Sequence, residues 1–389
     1  MRVALDGQPL LAPLTGVGHY TRQLVQALAR LGEDERYYVL APYPLRIVKR
    51  RAPRLLGFTE PNVELIVPGW WTTARARLQR RLGREAELNY GIDPPCDVFH
   101  ATNNIFPYRV PAAHRVLTIH DLTLLLFPEW HPADRLARMA PALEPAVTRA
   151  SHIITPSRST RDDVLKLLPV EPERVSVIPE GVAPSFTPRP AAEVAARLAP
   201  LGLRQGEYLL FMGTIEPRKN LLRLLRALEL TPATIGPLVL AGGHGWNNAA
   251  IRATVDRLAR GGRVRSLGYV PDELRPVLLS GARAFVYPSL YEGFGLPPLE
   301  AMACGAPVLT SNVSSLPEVV GDAALFVSPD DVDGLAAALA RLWDDEALRA
   351  DLRARGLVQA RRFSWERTAR STLDVYRAVV AGCPPATIP

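Results

Sequence analysis

The 389-residue chain is poor in cysteine, in lysine and in long apolar runs, and each shortage excludes something. Three cysteines, Cys96, Cys304 and Cys383, lie far apart and fit neither a disulfide framework nor a zinc motif, so they are read as incidental. No stretch approaches the roughly 18 to 20 uninterrupted apolar residues of a membrane-spanning helix. The N-terminal Met1-Arg-Val-Ala-Leu-Asp-Gly7 meets an acid and a glycine before a signal-peptide core could form, which predicts a cytoplasmic protein. No His, Cys or Asp group has metal-ligand spacing, and Asp330-Asp-Val-Asp333 sits where acids cap a helix. Walker loop, Ser-His-Asp elbow and RNA-binding aromatic signature are all missing. Only Lys49, Lys166 and Lys219 are lysines; every other cation behind the net charge of +7 is arginine, so a lysine stands out. The basic excess favours an anionic partner: a phosphorylated small molecule, a nucleic acid or a membrane surface.

What is present is enough chain for two cores and a steady alternation of strand-like and helix-like runs, the pattern of parallel sheets covered on both faces. Strands are predicted at 3–5, 37–40, 63–67, 98–100, 116–119, 152–155 and 175–178, then at 208–212, 238–241, 264–267, 284–287, 307–310 and 324–327. Helices are predicted over 18–31, with Tyr20, Leu24, Val25, Leu28 and Leu31 inward, and over 157–168 behind a serine cap; 332–343, 346–361 and 365–380 close the chain. Four prolines and a glycine between Pro179 and Pro190 mark a linker. The expected division is 1–183, 184–364 and a closing helix 365–389 that crosses back onto the first domain. A cleft at the carboxyl ends of the two sheets is the expected place of function.

The most informative stretch is Tyr287-Pro-Ser-Leu-Tyr-Glu-Gly-Phe-Gly-Leu-Pro-Pro-Leu-Glu300: a strand end, a glycine-containing loop and a helix opened by prolines. Glu292 in the loop and Glu300 in the first turns can reach one concave site. The amides of Gly293, Phe294, Gly295 and Leu296 can point into it, where a helix end favours anions. The plainer alternative is a capped helix with acids set against its dipole.

These residues resemble the E-x7-E motif of retaining glycosyltransferases of the GT-B fold, and EGFGLPPLEAMACGAPVLTSN from Glu292 onward is similar to family 4. The resemblance continues through Thr15-Gly-Val-Gly18, Thr118-Ile-His-Asp121, Thr155-Pro-Ser157, Val177-Ile-Pro-Glu-Gly-Val182, Gly213-Thr-Ile-Glu-Pro-Arg-Lys-Asn220, Ala241-Gly-Gly-His-Gly-Trp246 and Phe363-Ser-Trp-Glu366. It implies two Rossmann-like domains. The first would bind a saccharide or lipid-linked acceptor and the second a nucleotide sugar. No cofactor and no metal are implied. Within the family the style is closest to bacterial mannosyltransferases of surface polysaccharides, which implies mannose from GDP-mannose, with a UDP-sugar as the alternative.

By the same resemblance, Glu300 would accept hydrogen bonds from the ribose hydroxyls and Glu292 would hold the transferred sugar. Lys219 would neutralise the leaving diphosphate, and His120 would touch the donor sugar or the reaction centre. Gly16 and Gly18 would bring amides near the diphosphate or acceptor, and Tyr269 and Val270 would contact the base. Thr214 departs from the pattern, since many relatives carry arginine there, and Arg218 is the candidate to compensate. Thr21 replaces the third glycine of a dinucleotide fingerprint, which disfavours a dehydrogenase. A silent nucleotide or saccharide binder is the rival from another class; a nucleic-acid partner is not expected.

Residues 46–84 carry ten basic side chains against Glu60 and Glu64, an excess larger than that of the whole chain. With Trp70-Trp71 among them, they suit a peripheral contact with the inner face of the plasma membrane or an anionic lipid-diphosphate. An ordinary solvated loop fits the same residues equally well.

Overall fold

Short runs of buried apolar residues make the strands. Leu209–Met212 and Leu238–Ala241 are apolar throughout and fully covered, as strands with helices on both faces must be. The computed structural model describes residues 1–11, 14, 16–32, 34–41, 58–67, 74, 78, 95–383 and 385. Most of the basic stretch 46–84, with Trp70 and Trp71, lies outside the described residues, as does Thr15.

The chain forms two units: residues 1–122, 137–181 and 365–389, and residues 123–136 with 182–364. Among its described residues the first holds a parallel sheet of seven strands: β1 (Arg2–Asp6), β2 (Arg36–Leu40), β3 (Val63–Ile66), β4 (Cys96–Ala101), β5 (Ala112–Thr118), β6 (His152–Thr155) and β7 (Val175–Val177). Their order is β3-β2-β1-β4-β5-β6-β7. The second holds six: β8 (Leu209–Met212), β9 (Leu238–Ala241), β10 (Val264–Gly268), β11 (Ala284–Tyr287), β12 (Val308–Ser311) and β13 (Ala324–Val327), ordered β10-β9-β8-β11-β12-β13. In each sheet one strand has its successors on opposite sides, β1 between β2 and β4 and β8 between β9 and β11. Loops leaving such neighbours part, and ligands enter parallel sheets at that point.

Helix Gly16–Leu31 buries Tyr20, Leu24, Val25 and Leu28 as its spacing predicts, but Leu31 is only half-buried and Thr21 takes part instead. Thr21 Oγ1 lies 2.9 Å from Thr102 Oγ1. Ser157 caps helix Arg158–Leu167 by accepting from the Thr160 amide at 3.0 Å, and Asp331 caps Val332–Asp344 by accepting from the Gly334 amide at 2.8 Å. The closing helix, Trp365–Val380, packs in the first unit, with Trp365 5.8 Å from the Tyr20 ring.

Two placements differ from the sequence reading. The change of unit falls between Gly181 and Val182, two residues before the expected boundary, and residues 123–136 cluster with the second unit instead of the first. Aromatic contacts account for the second difference. The Trp246 indole donates to the Trp130 carbonyl at 2.7 Å, Phe127 stacks on Trp130 at 4.0 Å, and Phe127 lies 5.6 Å from Tyr291. Hydrophobic periodicity carries no record of such tertiary partners.

Candidate functional site

In the second unit, the loops after β8 and β11 lie at the switch point and carry the informative motifs. The turn Pro217–Lys219 ends at Asn220, whose φ of +58° is one that asparagine tolerates better than most residues. The Asn220 amide group holds the turn by donating to the carbonyls of Pro288 (3.0 Å) and Pro329 (2.7 Å). The loop after β9 closes from the other side, since a Cβ on Gly242 would stand 1.9 Å from the Gly213 carbonyl oxygen. Only glycine permits that approach. Thr214 lies against Gly245 in this doubled loop, with the Ile215 amide donating to the Gly243 carbonyl at 3.0 Å.

The turn aims Lys219 inward. Lys219 is buried, and its Nζ donates to Glu292 Oε1 at 2.7 Å and to the Tyr287 hydroxyl at 2.6 Å. Arg218 Nη1 donates to the second carboxylate oxygen of Glu292 at 2.5 Å and to the Tyr291 carbonyl at 3.0 Å, while Nη2 reaches Glu216 at 2.9 Å. Two cations and two carboxylates, with Arg218 half-buried and the other three buried, thus form a set with no net formal charge. Burial alone would push the Glu292 pKa up; Arg218 and Lys219 overcome it and hold the carboxyl at about 2. Lys219 is lowered, first by burial and then by Arg218, against the pull of Glu292 and Glu216.

Glu292 therefore has a folded pKa below its ordinary 4.5, and its stabilisation is present above pH 4.5 and lost as pH falls toward 2. The gap in thermal stability between wild type and Glu292→Gln is expected to narrow steadily from pH 5 to pH 2.5. A gap independent of pH would show that the carboxylate contributes nothing by its charge.

The glycine loop is pinned from behind. Ser315 Oγ lies 2.8 Å from the Glu292 carbonyl and 2.6 Å from that of Phe294, and Ser314 Oγ accepts from the Glu292 amide at 2.9 Å. Gly293 continues this loop, and Gly295, at φ +125°, opens helix Leu296–Ala303 at Leu296. Pro297 and Pro298 follow in the first turn, where their missing N–H groups cost no helical bond. Glu300 is buried in that helix and accepts from Arg275 Nη2 at 2.5 Å. At the end of β10 Tyr269 is half-exposed and Val270 buried.

In the first unit, His120 follows β5 and is held on all sides. Its Nδ1 lies 3.2 Å from Glu180 and its Nε2 3.0 Å from the Thr102 carbonyl. Its amide donates to Asn104 at 2.8 Å, and its carbonyl accepts from Thr160 at 3.2 Å. Gly16 opens the first helix with open space where a Cβ would go, whereas a Cβ on Gly18 would stand 2.7 Å from Leu14 Cδ2 and 2.9 Å from the Pro9 carbonyl oxygen. The packing demand for glycine thus falls on Gly18.

The structure joins Lys219, Arg218 and Glu292 in one cluster and sets Glu300 on the adjoining helix; His120 and Gly16 belong to the other unit. Sequence reasoning missed Glu216, Tyr287, Arg275, Ser315 and Glu180. Glu216, Tyr287 and Glu180 lie inside the motifs that carry the resemblance, so their positions are visible in the sequence even though their partners are not.

Residues 200–358 match the family described as glycosyl transferases group 1, and residues 14–186 match the one described as Glycosyltransferase Family 4. The chain is 37% identical to the O-antigen chain mannosyltransferase B of Escherichia coli, over 97% of this chain and 100% of that one. It belongs to the group 1 glycosyltransferases. This glycosyltransferase is also 28% identical to the MMP alpha-(1->4)-mannosyltransferase of Mycolicibacterium hassiacum, over 98% of its own length and 99% of the relative's. Sucrose-phosphate synthase from Thermosynechococcus elongatus shares its GT-B fold, with a TM-score of 0.72 at 23% identity over 98% of this chain and 99% of that one.

Among the described residues no helix is long and apolar enough to cross a membrane, and no three His, Cys, Asp or Glu side chains gather as a metal site. All three cysteines are free.

Proposed function

We propose that this glycosyltransferase moves mannose from GDP-mannose onto a saccharide or lipid-linked acceptor in surface-polysaccharide synthesis, with retention of configuration and without a metal ion. The observation that carries the sugar is the 37% identity, end to end, with an O-antigen chain mannosyltransferase. The neutral cluster of Arg218, Lys219, Glu216 and Glu292 supports a metal-independent route, because it contains two fixed cations that a diphosphate can claim from Glu292. Each bond the carboxylate gives up frees it to accept from hydroxyls of the sugar. The leaving diphosphate then gains charge next to Lys219 and Arg218, whose positions are already set. Retention follows if the acceptor hydroxyl attacks from the face that the diphosphate leaves and gives its proton to the departing diphosphate oxygen. Glu300 is assigned to the ribose and the first unit to the acceptor. Contact of residues 46–84 with anionic lipid belongs to the same reading and rests on the charge of that stretch.

The test is release of nucleoside diphosphate from a panel of GDP-, UDP-, ADP- and TDP-sugars with a mannose-terminated acceptor, each run with and without EDTA. GDP-mannose is expected to be the best donor, and its rate is expected to survive chelation. Preference for a UDP-sugar overturns the donor. A rate abolished by EDTA and restored by magnesium overturns the metal-free route, and binding with no diphosphate released makes the protein a binder.

A further inference from the structure

The proton count on His120 is fixed by its partners. The Thr102 carbonyl can only accept, so Nε2 must carry a hydrogen. Glu180 is buried, and an ionised carboxylate also only accepts, so Nδ1 must carry one too. The alternative arrangement is a neutral ring beside a protonated Glu180. The contacts with Glu180 and the Thr102 carbonyl and the nearby Asp121 together favour the charged ring over that arrangement. A half-buried imidazolium with both N–H groups taken by the protein results.

The surroundings agree. Burial pushes the His120 pKa down, and Glu180, the Thr102 carbonyl and Asp121 together push it further up, so the net direction is upward. His100 on β4 is driven down to about 3, by burial first and by His120 second, and so stays neutral beside the cation. His100 is itself bonded to the Tyr376 hydroxyl at 2.6 Å and to Thr118 Oγ1 at 2.7 Å. Tyr20 sets its ring edge-on to His120 at 4.7 Å, and its own hydroxyl, raised by burial, lies 3.0 Å from Thr118. The titratable groups facing His120 are therefore Glu180, Asp121, His100 and Tyr20.

We propose that Glu180 is a positioning residue that keeps His120 a fixed, doubly protonated cation, so that His120 serves glycosyl transfer by its charge and never as a proton carrier. The kinetic half of this rests on the mannosyl-transfer reading; the protonation half does not. A histidine acting as base would need a free ring nitrogen, and both are committed. A fixed cation also predicts the sign of the pH dependence. Activity is full below the raised pKa of His120 and falls as pH rises through it.

The experiment uses the full chain labelled with 15N-histidine. Ring NMR should show His120 protonated at both nitrogens at pH 7 and titrating above 6.5. In Glu180→Gln that titration should move down by at least one pH unit, and Glu180→Asp, which keeps the charge, should recover most of it. The alkaline limb of kcat should move down with the NMR titration in Glu180→Gln, while KM for the donor changes less than threefold. A single neutral tautomer at pH 7 in the wild type, or an unchanged titration in Glu180→Gln, overturns the clamp; should Glu180→Gln fail to fold, the wild-type spectrum and Glu180→Asp still decide. A shifted NMR titration with an unmoved alkaline limb overturns the role of His120 in transfer. Failure of the wild type to turn over any nucleotide sugar would sink the mannosyl-transfer reading while leaving the NMR result standing.

Discussion

Lys219→Ala is expected to lower turnover by about two to three orders of magnitude while the protein remains folded, the size seen when one preorganised charge partner of a transition state is removed. The fold should survive because the mutation does not strand Glu292, which keeps Arg218 at 2.5 Å on its other oxygen. What is lost structurally is a pair of hydrogen bonds and some packing against Tyr287, about 1 to 3 kcal/mol. The diphosphate loses more. Lys219 is a compact cation held in place before the ligand arrives, and water cannot replace it in a covered turn. Lys219→Arg should recover little of the rate, since a planar guanidinium cannot occupy the buried slot of a point charge bonded to two partners. Single-turnover rates with saturating donor, read beside thermal unfolding, separate the two effects. A wild-type rate in Lys219→Ala would reduce the lysine to a structural counter-ion for Glu292.

The strands were legible because burial writes itself into short sequence: a parallel strand covered on both faces must be apolar at every position, as Leu209–Met212 is. The serine cap of helix Arg158–Leu167 was equally local. Pairings across the chain were not. Lys219 and Glu292 are 73 residues apart, and they meet because β8 and β11 are neighbours in the sheet. Sequence reasoning assigns each a ligand and does not show that each is the other's partner. Glu300 likewise had a ribose proposed for it, while its bond to Arg275 depends on how two helices pack. The sequence places His120 at a strand end, but its Nδ1 is committed to Glu180, 60 residues on, and its Nε2 to the Thr102 carbonyl. Thr21 shows the same limit at small scale: helical spacing marks the apolar face, and a threonine joined that face because Thr102 stood opposite.

Glu292→Gln and Glu300→Ala are expected to act in opposite directions on the free nucleoside diphosphate, because the two carboxylates stand in different relations to its charge. Glu292 occupies Arg218 and Lys219, so it competes with the diphosphate for the same cations. Neutralising it leaves those cations in excess over Glu216, and free nucleoside diphosphate should bind about tenfold more tightly, a gain of about 1.4 kcal/mol. The unliganded protein should be less stable, since a buried cation has lost its counter-charge. Turnover should nevertheless fall by at least about a hundredfold, because the group assigned to the transferred sugar would now hold it without charge. Glu300→Ala has no such competition to relieve. Its assigned partners are ribose hydroxyls, and each charge-assisted hydrogen bond is worth about 1.5 to 3 kcal/mol, so nucleotide and donor should both bind roughly a hundredfold more weakly. Arg275, which keeps Asp272 at 3.8 Å, should limit the structural damage. Calorimetric affinities for GDP and single-turnover rates for both variants decide the matter. Weaker GDP binding in Glu292→Gln would mean that its carboxylate assists the diphosphate site by ordering Arg218 and Lys219 and does not compete with the ligand. Unchanged GDP binding in Glu300→Ala would return that residue to its bond with Arg275.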